Sequence, residues 1–267
     1  MIRRLAALVV SLAVRGFDLA RRAVWPRRST NAPRTGVVLY YHDLKRRDRA
    51  RFARQMDELV KRTRPFAAGS PEQMTDGTQN AAVTFDDGFR SVVENAVPEL
   101  ARRGIPFTVF VPSGCLGQRP SWVRDPEHPS WDERVLSAAD LRALSRVPLA
   151  SLGSHSITHR DLRRLDAADA ERELVESKAA LQAAAGVTID LFSFPHGAHD
   201  ARLLEQARRA GYRRVFTIEP ETVRAGAAAF TVGRVAASPG DWLIEFRLKL
   251  AGAYRWRQSY HRLRHMA

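Results

Sequence analysis

A chain of 267 residues with 45% hydrophobic content is long enough for one large α/β domain. Cys115 is the only cysteine, which excludes an intrachain disulfide framework. The formal net charge of +14 is gathered at the ends: residues 1–35 hold eight Arg against one acid, Asp18, and residues 247–267 hold five Arg and one Lys with no acid. The centre is nearly neutral and carries no nucleic-acid recognition motif, so no nucleic acid is expected; an anionic membrane surface suits such arms better.

Residues 1–35 read as a basic amphipathic arm. The apolar run Leu5–Val14 is too short to span a bilayer and is closed by Arg15. On a helix, Leu5, Leu8, Val9, Leu12, Leu19 and Ala23 share one side, and Arg4, Arg15, Asp18 and Arg22 the other. That pattern fits a helix lying in a membrane interface. A helix packed on the domain is the second reading; a signal segment is the third, though no clear small-x-small cleavage site follows. The expected location is peripheral at the inner membrane or cell envelope, otherwise cytoplasmic.

From residue 36 to about 240, strand-like and helix-like segments alternate. Strands are expected at Val37–Tyr41, Ala81–Phe85, Phe107–Val111, Leu149–Gly153, Leu191–Phe194, Arg214–Ile218 and Thr231–Val235. Helices are expected at 49–64, 89–103, 137–145, 166–185 and 200–210. Asp166 heads an acidic first turn, and Gly104, Gly186 and Gly211 each close a helical run. Such alternation implies a parallel sheet with crossover helices, either a small closed barrel or an open doubly wound sheet. Residues 112–136 form a long loop; its Trp122 and Trp131 suit either stacking on sugar rings or packing. A last helix, 241–258, places Trp242, Phe246, Leu250 and Tyr254 on a four-residue spacing that reads as a buried stripe, and leads into a basic tail ending at residue 267.

Three strand ends carry chemistry. Val83-Thr84-Phe85-Asp86-Asp87-Gly88 delivers two adjacent carboxylates to the rim where parallel sheets place their active sites. A plain turn capping the next helix would use the same residues. Gly153-Ser154-His155-Ser156-Ile157-Thr158-His159 places two imidazoles four residues apart. With one carboxylate these suit a divalent ion with open positions, which lowers the pKa of a bound water and polarises a carbonyl oxygen. Phe192-Ser193-Phe194-Pro195-His196-Gly197 is a tight turn whose N–H groups can face an oxyanion, or simply an ordinary strand-to-helix connection.

Together, Thr84–Gly88, His155–His159 and Pro195–Gly197 resemble the motifs of the polysaccharide deacetylase superfamily, carbohydrate esterase family four, over residues 36–240. The resemblance implies a distorted (β/α)7 barrel and metal-dependent removal of acetyl groups from sugars. It makes Asp86 the general base, and Asp87, His155 and His159 the ligands of one divalent metal, Zn2+ first, with Fe2+, Co2+ and Ni2+ as alternatives. Pro195, His196 and Gly197 would form the oxyanion turn. The sequence departs from the family pattern in three places: Ser193 stands where an Arg is common, His196 where a Tyr is usual, and no Leu-x-His follows the last strand. The pair Tyr41-His42 resembles the branch of poly-N-acetylglucosamine deacetylases, in which such a His takes the acid role. Histidine suits that role because its ordinary pKa lies near working pH. Arg234 is the candidate to orient Asp86 in place of the missing Arg. The expected substrate is an N-acetylated glycan of an exopolysaccharide or the cell envelope. The competing functions are a deacylase or deformylase acting on a lipid-linked sugar, and a non-catalytic carbohydrate-binding relative.

Overall fold

The computed structural model describes residues 2–24, 34–225 and 229–258. Parallel pairing joins β1 (Thr35–Tyr41), β3 (Asn80–Phe85), β4 (Phe107–Val111), β5 (Ala150–Ser154), β6 (Leu191–Ser193) and β7 (Arg214–Phe216) in that order. Short β2 (Arg64–Pro65) adds to β3, and β8 (Val223–Arg224) pairs antiparallel with β1. The expected strand Thr231–Val235 is divided instead. β9 (Thr231–Val232) pairs with β7, and β10 (Val235–Ala236) pairs with β1. One short segment thus bridges both edges of the sheet and nearly closes a barrel. No single ladder can serve two edges, so Gly233 and Arg234 lie between them. A Cβ at Gly233 would come within 2.3 Å of the Glu219 carbonyl, so only glycine passes there.

β3 and β4 are buried along their whole length, as expected where helices cover the outside and side chains fill the inside. Alternation sorts the two layers. Val37, Leu39 and Tyr41 join the core shared with the helices, whereas Val38, Ala82, Phe110, Phe216 and Val232 cluster inside the barrel. The covering helices are α2 (Arg49–Arg62), α3 (Val97–Ala101), α4 (Ala138–Leu144), α5 (Ala167–Ala185) and α6 (Ala201–Arg209). Ser137, Asp166 and Asp200 each cap the following helix by accepting an N–H from its third residue, worth about 1 kcal/mol apiece. Gly186 closes α5 in the left-handed region at φ 73°. The expected helix 89–103 is present but interrupted by a π-helical turn, Val92–Ala96, before α3.

At the ends, α1 (Ile2–Val24) packs on α7 (Leu243–Leu250). The expected helix 241–258 stops at Leu250, where Gly252 turns left-handed at φ 70°. Phe246, Leu250 and Tyr254 form the buried stripe, but Trp242 precedes the helix and is exposed, because it sits outside the first helical turn. Residues 259–267 of the basic tail and residues 25–33 of the N-terminal arm lie outside the described residues. No helix among the described residues is long and apolar enough to cross a membrane.

Candidate active site

The segments that follow β1, β3, β5 and β6 converge on one rim of the barrel. There a cavity of about 420 Å³ is lined by His42, Asp86, Asp87, Trp122, His155, His159, His196 and Gly197, among others. Asp86 continues the β3 ladder, its N–H donating to the Tyr41 carbonyl at 2.9 Å. The chain then turns sharply, with Asp87 at φ 67° and Gly88 at φ 60°. A Cβ on Gly88 would press into Val111 at 2.9 Å, so the turn requires glycine. Among the described residues, four non-glycine residues adopt positive φ: Asp87, Ser156, His159 and His196. All four belong to the three motifs. Backbone strain of about 1–3 kcal/mol per residue is concentrated where the chemistry-bearing side chains are aimed.

Asp87, His155 and His159 offer ligand atoms that all lie within 4.8 Å of one another, and all three residues are buried. Asp87 Oδ1 is 3.0 Å from His159 Nε2 and 3.6 Å from His155 Nε2. The His155 Nδ1–H donates to the Ser193 carbonyl at 2.7 Å, since a carbonyl can only accept; this leaves Nε2 with its lone pair toward Asp87. Burial lowers the His155 pKa to about 4, so the ring is neutral. Burial raises the Asp87 carboxyl, but the facing His159 and His155 rings outweigh it and hold the group below the usual carboxylate range. Asp87 Oδ1 and His159 Nδ1 are nevertheless buried without a well-formed hydrogen bond. A buried carboxylate oxygen orphaned between two imidazoles is the donor set a divalent cation satisfies.

Asp86 stands in a different environment. Arg234, fully buried, grips it in a bidentate pair, Nη1 to Oδ1 and Nη2 to Oδ2 at 2.7 Å each. The remaining guanidinium N–H groups donate to Thr84 Oγ1, Ser193 Oγ and the Thr217 carbonyl, so all five donors are used. Burial pushes the Asp86 carboxyl up, and Arg234, with His155 and His42, overrides this to hold it at about 2. The guanidinium also lies over the Tyr40 ring at 4.8 Å. Ser193 accepts from Arg234 through its hydroxyl and from His155 through its carbonyl.

His42 lines the same cavity beside Tyr40 and Asp43, with its ring edge-on to Tyr40 at 5.6 Å. The loop that carries it is anchored by the π-helical turn: Asn95 Nδ2 donates to the Leu44 carbonyl at 2.8 Å. Such turns interrupt helices where a side chain must be re-aimed. Pro195 is buried beneath the third turn, His196 stands edge-on to His159 at 4.7 Å, and the Gly197 N–H donates to the Phe194 carbonyl. Trp122 lies flat on His159, centroids 4.2 Å apart, while Trp131 lies 4.0 Å beneath the Arg119 guanidinium.

One residue of this arrangement escaped sequence reasoning. Glu173, from the buried face of α5, accepts the N–H groups of Ile157 and Thr158 at 2.7 and 3.0 Å and the Thr158 hydroxyl. It locks the loop that presents His155 and His159. An acid within the otherwise apolar and small stripe Ala170, Leu174, Ser177, Leu181 was the available signal.

A nearly closed parallel barrel whose strand ends gather one carboxylate and two imidazoles, beside a second, arginine-held carboxylate, defines a barrel protein with a candidate hydrolytic metal centre. The polysaccharide deacetylase family matches residues 73–215, and the chain belongs to that family. It is 25% identical over 158 residues to YxkH of Bacillus subtilis (strain 168), assigned to the polysaccharide deacetylases; the match takes in 59% of this chain and 51% of that protein. The chain thus spans about half the length of that curated relative. IcaB from Ammonifex degensii superposes with a TM-score of 0.67 at 26% identity, covering 82% of this chain and 97% of that one. The Streptococcus pyogenes deacetylase PplD, at 16% identity and TM-score 0.67 over 82% of this chain and 99% of its own, shares the fold.

Proposed function

We propose that the protein removes N-acetyl groups from the amino sugars of an exopolysaccharide or cell-envelope glycan, in the branch similar to poly-N-acetylglucosamine deacetylases. Asp87, His155 and His159 would hold one divalent cation, Zn2+ being the ion that two imidazoles and one carboxylate suit best, with Fe2+, Co2+ and Ni2+ compatible. When bound, such an ion polarises a carbonyl oxygen and acidifies a water. The chain's own residues supply the remaining chemistry. Asp86, kept ionised and aimed by Arg234, accepts the proton of the attacking water. The N–H of His196, at the top of the Pro195–Gly197 turn, donates to the developing oxyanion. His42, across the cavity, protonates the departing amine, releasing acetate and a free amino sugar.

The observation that carries this reading is the pairing of two adjacent carboxylates in opposed settings: Asp86 held through one bond to each oxygen by Arg234, with lone pairs left to accept a proton, and Asp87 with an orphaned oxygen between two imidazoles. Elemental analysis of purified protein, together with acetate release from N-acetylglucosamine oligomers and poly-N-acetylglucosamine, tests it. Asp87→Ala is expected to lose both metal and acetate release. Asp86→Asn is expected to keep its metal while turnover falls by roughly 10²–10⁴-fold. Metal-loaded protein that releases no acetate from any acetylated glycan would instead make the chain a non-catalytic binder, and a fully active His42→Ala variant would remove His42 from the acid role.

A further inference from the structure

Of the sequence readings of α1, packing on the domain is seen on one face, and the opposite face is left uncovered. Its domain-facing side is mixed: Ala7 and Ser11 are buried, Leu8 and Val14 pack on the core, Ser11 Oγ accepts from Trp256 Nε1 at 2.9 Å, and Asp18 pairs with Arg255 Nη1 and Nη2 at 2.8 and 2.7 Å. Arg4 donates to Glu245 and to the Gly240 carbonyl, each at 2.8 Å. The outward side is the apolar one. Ile2, Leu5, Val9, Val10, Leu12, Phe17 and Leu19 are exposed, with Val9 64% and Phe17 67% accessible. Between them stand only Ala6, Ala13, Gly16 and Ala20, all exposed as well. Water is a poor environment for a half-cylinder of this composition, while on the inner face Ala7, Leu8 and Val14 pack on the core beside these polar contacts.

We propose that this face docks the protein on an anionic lipid bilayer, with α1 lying in the plane of the interface. Charge selects that occupant. The outward arc is bordered on one edge by Arg3 and Arg21, both exposed and about five turns apart, and the helix's single acid, Asp18, is already paired with Arg255. A second copy of α1 offers these arginines no free acid, whereas lipid phosphates satisfy them while acyl chains take the apolar arc. Trp242, Leu243 and Ile244 extend the surface beside the first turn of α1, where the Arg4 guanidinium lies over the Trp242 ring at 4.4 Å. An exposed tryptophan next to such a helix is placed as interfacial anchors are. The first turn of α1 contacts the segment that follows β10, and β10 runs parallel to β1, whose C-terminal end carries His42. The site rim thus lies at the N-terminal end of α1, while Asp18 and Arg21 lie by Thr35 and Gln79 at the opposite rim, so docking would lay the barrel on its side. This inference does not depend on the hydrolytic reading.

Sedimentation of the full chain with large unilamellar vesicles tests it. Phosphatidylcholine vesicles containing phosphatidylglycerol are expected to pellet the protein with a partition coefficient at least about tenfold above that for phosphatidylcholine alone, and high salt should reduce the difference. The double variant Val9→Glu, Leu12→Glu alters two exposed positions, so its circular dichroism and thermal unfolding should match wild type while its partitioning falls about tenfold or more. Wild-type protein that stays in the supernatant with both vesicles overturns the proposal. So does a variant that pellets as wild type does. A dimer that the variant dissociates, with no vesicle binding by either protein, assigns the face to a second copy and overturns it equally.

Discussion

The buried Asp86 carboxylate keeps its charge because a guanidinium that pairs with no other carboxylate among the described residues faces it squarely. Arg234 and Asp86 are both buried, so neither charge can be left alone at low cost. Arg234→Met is expected to destabilise the fold by about 3–5 kcal/mol through the stranded carboxylate. Arg234→Lys is the more informative change: it keeps the charge but cannot reproduce the two-pronged grip or serve five acceptors. Its metal content is expected to match wild type while kcat falls about 100-fold, the loss typical of a base displaced by about 1 Å. Unchanged kcat in Arg234→Lys would confine Arg234 to a structural role. At this scale the sequence was informative wherever a residue directly follows a strand, which is why His42, Asp86, Asp87, His155 and His159 could be placed on one rim from the linear order alone. The contact between Arg234 and Asp86 was suggested only by an absence, the Ser193 position lacking its usual Arg. Spacing along the chain says nothing about which of two distant strands closes a barrel.

Elements act on the site through the loops they pin. Glu173 stands in the second turn of α5, yet its carboxylate organises Ile157 and Thr158 and, through them, the left-handed residues Ser156 and His159. Removing it frees two N–H groups in a strained loop, so the imidazoles lose their fixed spacing. Glu173→Ala is therefore expected to weaken metal binding about 10–100-fold, read by competition with a chromophoric chelator, while Glu173→Gln, which keeps one acceptor oxygen, loses less. Equal affinity in Glu173→Ala and wild type would show that the loop holds its shape without α5. Strand and helix order was legible because apolar periodicity, caps at Ser137, Asp166 and Asp200, and Gly186 all pointed the same way. What periodicity missed was interruption: the π-helical turn after Asp87, the split at Gly233-Arg234 and the early end of the last helix. Each leaves the local pattern of apolar residues intact and is decided by tertiary contacts.

For the whole molecule, the important feature is that the candidate ligands come from segments separated by an intervening strand: Asp87 follows β3, His155 and His159 follow β5, and β4 lies between. A cation bound by all three would join directly parts of the barrel otherwise linked through the sheet and the Phe89–Trp122–His159 stack, and it would bind the folded state alone. Stability should then rise with free metal as RT ln(1 + [M]/Kd), about 2.7 kcal/mol at a hundredfold excess over Kd. For a chain of this size that corresponds to a gain of about 5–10 °C in Tm. Thermal unfolding of the protein stripped with chelator and then titrated with Zn2+ should trace this curve. Asp87→Ala should show no such rise, because it removes the only carboxylate of the set, whereas Asp86→Asn should follow wild type. A titration that leaves wild-type Tm unmoved, or moves Asp87→Ala by the same amount, would separate the imidazole cluster from any role in holding a cation and return Asp87 to the part of a turn residue before α3.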